Sequence, residues 1–160
     1  MPESIWGKLF WIAIGAGISW LLQQYRISRS EDAALVNEHI KDIEKLRDAA
    51  QDYWLELPDD LKGERAASAR VRAAHSATTL VYPQIIEICG ELCDDYKDLS
   101  LALYDVAMGG NFESPRTDID PIRAIDTHDA AATLIHLLRK ARRDVLSLSR
   151  LGKYGIDFKS

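Results

Sequence analysis

The chain is expected to be all-α, an N-terminal membrane-spanning helix followed by an antiparallel helical bundle. Three observations carry that expectation. Between Ile5 and Leu22 Lys8 is the only charge. Beyond it apolar residues recur at spacings of three and four almost throughout. Alternating β-branched runs closed by tight Asn-Gly turns, the mark of strands, are absent.

The Ile5–Leu22 run covers roughly 27 Å as a helix, close to the hydrocarbon thickness of a bilayer. Trp6 and Trp20 stand near its ends, where aromatic belts sit. No basic n-region precedes it and no small-residue cleavage site follows, so a retained signal-anchor over residues 1–27 is expected rather than a cleaved leader. Arg26, Arg29, Lys41 and Lys45 after the run place the N-terminus outside and residues 28–160 in the cytoplasm, at the inner membrane of a bacterial cell. Ala13, Gly15, Gly17 and Ser19 set small residues at four-residue spacing on adjacent faces, which suits a seam between spans and a homo-oligomer.

About 130 residues remain, enough for one core. Ser28 and Glu31 form a Ser-x-x-Glu capping box, predicting a helix over 29–57 that stops before Pro58, with a stripe of Val36, His39, Ile43, Leu46, Ala50, Tyr53, Trp54 and Leu57. Asp59 or Asp60 caps a second helix over 60–82. The apolar phase then continues through Pro83 to Val106 without a break, ahead of Gly109-Gly110. A straight helix of that length would run back into lipid, so a turn or a strong kink is required at Pro83. The four-helix solution, with a third helix over 84–108, is preferred to a three-helix bundle kinked at Pro83. Asp120-Pro121 starts the last helix, expected over 121–151 and ended by Gly152.

Charge is unevenly spread around the formal net charge of −5. From Arg139 onward seven Lys and Arg stand against two acids, so this tail carries +5 and the first 138 residues −10. Arg139, Lys140 and Arg143 are expected to face the anionic cytoplasmic leaflet once the last helix returns to the membrane. The acidic remainder and the lack of interleaved aromatics speak against nucleic acid. Glu91, Asp94, Asp95 and Asp98 make a solvated face. Arg47 and Arg142 point to the apolar side of their helices, to pair with a buried acid or line a cleft.

Candidate chemistry is sparse. Cys89 and Cys93, four apart in a helical pattern, suit unbridged thiols. With His39 and His75, which fall near one level of the bundle, they could form a Cys2His2 metal set, although the default expectation is no metal and no cofactor. Arg70-Val-Arg-Ala-Ala-His75 and Arg123-Ala-Ile-Asp-Thr-His128 share an Arg-x4-His spacing, and in this they resemble the HEPN ribonucleases, helical enzymes often found in toxin and antiphage systems. That resemblance implies that Arg70 holds a scissile phosphate and His75 acts as acid and base at a dimer interface. The chain departs from it in having no polar residue after either Arg. The loop Gly109-Gly110-Asn111-Phe112, with Arg116, offers backbone donors, a ring and a cation. It is the expected ligand-binding segment, or else a connector whose Phe112 covers the bundle end.

The function expected from these features is a non-enzymatic adaptor or regulator. It is anchored in the membrane, self-associates and binds a cytoplasmic protein or small signalling ligand. A ligand-triggered membrane-disrupting effector of antiphage type and a HEPN-like ribonuclease are the alternatives.

Overall fold

The computed structural model describes the backbone of residues 5–58, 60–114 and 116–146, with the side chains of 5, 6, 8 and 144–146 outside the description. Regular structure in these residues is helical: α1 (Ile5–Leu55), α2 (Leu61–Leu80), α3 (Tyr82–Cys89), a 3-10 turn (Gly90–Leu92), α4 (Cys93–Met108) and α5 (Pro121–Leu146). No strand occurs among the described residues.

α1 is longer than either helix the sequence predicts in its place. The expected start at Ser28 does not occur, and Ser28 and Glu31 lie within one uninterrupted helix. A capping box begins a helix only where the preceding chain leaves helical geometry. Between Gly17 and Pro58 there is neither Gly nor Pro, and Gln23, Gln24 and Arg26 are good helix formers. The boundary drawn at residue 27 is therefore not a break in the chain. The bundle starts where burial starts, at Val36, and the buried stripe continues through His39, Ile43, Leu46, Ala50, Tyr53 and Trp54. Leu57 departs from that stripe and is exposed.

Asp60 caps α2, its Oδ1 accepting from the Gly63 N–H at 2.6 Å. The turn into α3 needs no glycine. Val81 serves both as C-cap and N-cap at φ −97° and ψ 3°, and Pro83 falls in the first turn of α3, where a missing N–H costs little. The predicted third helix is in fact two. Gly90 adopts φ +58° and ψ −110°, a conformation that side chains disfavour, and a 3-10 turn separates α3 from α4.

The helices pair around α1, which packs chiefly on α5 and α2 while α4 lies on α5; α2 and α4 touch only sparsely. Val36, Ile43, Leu46, Trp54, Ile85, Leu103, Leu134 and Leu138 fill one core. At its upper end the Trp54 indole donates to the Ala107 carbonyl at 3.1 Å, and the Trp54 carbonyl accepts from the Asp120 N–H at 2.8 Å. At the lower end Arg142 donates to Asn37 Oδ1 at 2.6 Å, so α5 comes back to the end from which the first half of α1 emerges. The rest of the predicted last helix, to 151, lies outside the described residues.

The Leu9–Leu22 part of α1 is exposed among the described residues. Leu9, Phe10, Trp11, Ile12, Ile18, Trp20, Leu21 and Leu22 are exposed, Trp11 to 71%. A Cβ built at Gly15 or Gly17 would meet nothing within 4 Å. Among the described residues no helix is long and apolar enough to cross a membrane. The described apolar stretch Leu9–Leu22 rises about 21 Å, short of a bilayer core of about 30 Å. The described residues thus do not support a separate membrane-spanning helix, and show instead an exposed apolar extension of a bundle helix.

Candidate functional site

The sparse contact between α2 and α4 leaves a seam whose residues differ from the aliphatic core behind it. Helical spacing brings Tyr96, Ser100 and Tyr104 from α4 toward Thr78, His75 and Tyr82, and α1 supplies His39 from beneath. His39 Nε2 and the Tyr96 hydroxyl are hydrogen bonded at 2.8 Å, with their rings edge to face. His75 packs edge-on against Tyr104 at 4.5 Å between centroids, and the Tyr104 hydroxyl lies 3.2 Å from Thr78 Oγ1. Tyr82 leans on Tyr96 at 5.6 Å.

Burial sets the protonation of this group. Desolvation holds His39 down at about 4 against an opposing pull from Asp42, and lowers His75 in the same way. Desolvation also raises the Tyr96 and Tyr104 phenols above their ordinary value. The seam is therefore neutral imidazole and neutral phenol near pH 7, a hydrogen-bonding surface with no charged nucleophile in it. Two of its buried polar atoms, His39 Nδ1 and Ser100 Oγ, make no hydrogen bond of good geometry within the fold. A groove of about 270 Å³ opens beside Ser100, lined by Thr79, Tyr82, Lys97, Ser100, Leu101 and Tyr104.

The seam is not the metal set considered from the sequence. Among the described residues no three His, Cys, Asp or Glu side chains form a group that could hold a metal ion. His39, His75, Cys89 and Cys93 are not assembled into one centre, because His39 is committed to Tyr96 and His75 to Tyr104. The two cysteines are unbridged, Cys89 buried and Cys93 half-buried.

The loop after α4 is tied to the bundle end. Phe112 stacks on Tyr53 at 4.8 Å and lies 6.4 Å from Trp54. The Arg116 side chain is 2% exposed and bonds Glu64 at 3.1 Å, the Glu56 carbonyl at 3.2 Å and the Tyr53 carbonyl, with its guanidinium 3.8 Å over the Tyr53 ring. It thereby serves carbonyls that the end of α1 leaves without helical partners. Asn111 Oδ1 accepts from Arg123 at 3.3 Å, and the Gly109 N–H donates to the Asp105 carbonyl at 2.8 Å. Gly110, at φ +64°, lets the Arg123 guanidinium approach to where a Cβ would sit 2.8 Å from Nη1. The five residues expected to receive a ligand are brought together, and the side-chain groups of Asn111, Phe112 and Arg116 are engaged within the chain.

The remaining candidates are spread over the surface. Arg70 is exposed while His75 is half-buried against Tyr104. In the second Arg-x4-His pair His128 is exposed, and Arg123 lies 4.5 Å over the Trp54 ring while donating to the Val106 carbonyl at 3.0 Å. Arg47 pairs with exposed Asp48 at 2.7 Å and Arg142 with neutral Asn37, so neither meets a buried acid. Arg139, Lys140 and Arg143 are exposed near the end of α5, Glu91 is exposed in the 3-10 turn, and Asp94, Asp95 and Asp98 are exposed on α4.

Sequence reasoning missed the seam itself. Tyr82, Ser100 and Tyr104 carried the only legible signal, hydroxyls at the spacing where an aliphatic stripe would be expected. No protein-family model matches the chain, and no curated protein or solved structure gives a significant match.

Proposed function

We propose that the protein is a bilayer-anchored helical head that works by binding rather than by catalysis. One observation carries the anchoring: among the described residues the Leu9–Leu22 part of α1 is apolar on every face and exposed. A helix hydrophobic on one stripe can be satisfied by a protein partner, whereas one hydrophobic all round calls for an apolar solvent. Each large apolar side chain moved from water to lipid contributes on the order of 1–2 kcal/mol. Counted on the sequence from Ile5 to Leu22, the run would cover about 27 Å as a helix, near the thickness of a bilayer core.

The other end of the argument is geometric. The α5 contact between Arg142 and Asn37 puts Arg139, Lys140 and Arg143 at the end of the bundle from which the apolar stretch departs. Asn37 lies fifteen residues, about 22 Å, along α1 from Leu22, so in a helix running along the bilayer normal Arg26 and Arg29, rather than Arg139, Lys140 and Arg143, would be the cations near an anionic leaflet. Because α1 does not break between the apolar stretch and the core, a rotation of one is carried to the other. Ala13, Gly15, Gly17 and Ser19 lie bare on the apolar stretch, where close helix approach would join copies in the membrane. Neutral buried imidazoles and phenols favour a binding role for the head over acid-base chemistry.

Fractionation of cells expressing the full chain tests this. The protein is expected in the membrane pellet after alkaline carbonate, and Ile14→Lys with Ile18→Lys should move it to the supernatant with the bundle still folded. Release of the unsubstituted chain by carbonate would overturn the anchor.

A further inference from the structure

The groove between α2 and α4 has a definite chemical character. Tyr82 and Tyr104 line it with aromatic surface, Leu101 adds an apolar wall, and Ser100 contributes a hydroxyl from a residue only 2% exposed. That hydroxyl makes no hydrogen bond of good geometry within the fold, and its polar neighbour, the Tyr96 hydroxyl, is shared with His39. A hydrogen-bonding group on a bound molecule would give that hydroxyl a well-aligned partner. At the rim stands Lys97, held by Asp94, which is 92% exposed, and by the half-buried Cys93. An ion pair that open is worth little, so the ammonium is available to an anion entering the groove.

We infer that this groove is a binding site for a small aromatic carboxylate. The ring would lie against Tyr82, Tyr104 and Leu101, a polar atom on the ring would meet Ser100 Oγ, and the carboxylate would reach Lys97. About 270 Å³ lies just below the range of drug-sized pockets, which admits one fused ring system and excludes a peptide. The inference is independent of how the chain meets a membrane.

The test is calorimetric titration of the full-length protein in detergent with indole-3-carboxylate, indole-3-carboxamide and hexanoate. Saturable binding is expected for the aromatic acid, about three- to tenfold weaker binding for the amide, and weaker binding still for hexanoate. Lys97→Met should abolish the preference for acid over amide. Thr79→Trp and Leu101→Trp should each fill the groove and abolish binding; both positions are exposed, so the melting temperature should hold and report on folding. Absence of saturable binding to the unsubstituted protein would overturn the site. So would affinity unchanged in both Trp variants, or equal affinity for hexanoate, or an acid preference that survives Lys97→Met.

Discussion

The two halves of α1 share one unbroken backbone and distribute their apolar residues differently. From Val36 to Trp54 apolar residues return every three or four positions and are buried, with polar ones between them facing water. From Leu9 to Leu22 the apolar residues occupy all faces and are exposed. The pattern of apolarity, rather than its amount, separates the half that packs in a protein core from the half proposed above to enter a bilayer. Continuity of the helix joins the two halves without a hinge.

The comparison breaks most visibly at the top of the buried half. Trp54→Ala removes a side chain 1% exposed that donates to Ala107 and lies beneath Phe112, Arg116 and Arg123. A loss of about 3–5 kcal/mol is expected in chemical denaturation. A loss under about 1 kcal/mol would mean that this end is not packed as described. Arg116→Ala should follow at about 3 kcal/mol, because it leaves Glu64 and two helix-end carbonyls unpaired around a buried position. An Arg116 variant of unchanged stability would instead return the loop to the role of a ligand segment with a cation to spare.

His39 gives the buried half a pH dependence that the exposed half lacks. Its value near 4 in the fold lies below the ordinary 6.5, so the unfolded chain takes up the proton first. Its contribution to stability is complete above pH 6.5, falls by about 2 kcal/mol at pH 5, and is lost near pH 4. His75 adds in the same direction. His39→Gln, which can still bond Tyr96, should flatten most of the decline in a melting series from pH 7 to pH 5. A decline as steep as that of the unsubstituted protein would assign it to other groups. The smallest effect belongs to the bare half: Trp11→Ala should change bundle stability by less than about 0.5 kcal/mol.

Sequence periodicity disclosed the helices and most of the buried residues of α1, because burial on one face repeats at the helical period. The capping box at Ser28 misled, since a cap signal is local and nothing upstream of it stops a helix. Pro83 was legible as a turn, whereas the break at Gly90 was not, because one glycine inside a sustained stripe looks tolerable until its φ is known. The seam between α2 and α4 was hidden for a different reason. It depends on which helices fail to pack together, and no single helix records that. The loop at 109–116 was recognisable as polar and aromatic, but whether Phe112 and Arg116 face a ligand or the bundle depends on Tyr53, Trp54 and Glu64, which lie about fifty to sixty residues away in the chain.

The most direct test of the central claim compares the tryptophans of the two halves in one bilayer. In the full-length Trp6→Phe, Trp20→Phe variant, Trp11 reports on the bare half and Trp54 on the packed half. The variant is reconstituted into vesicles whose lipids carry bromine either at mid-chain or near the headgroup. Trp11 emission should be quenched more strongly by the mid-chain bromine, with Trp54 unaffected by either. Quenching of Trp11 by neither lipid, or only by bromine near the headgroup, would contradict an anchor that enters the bilayer core.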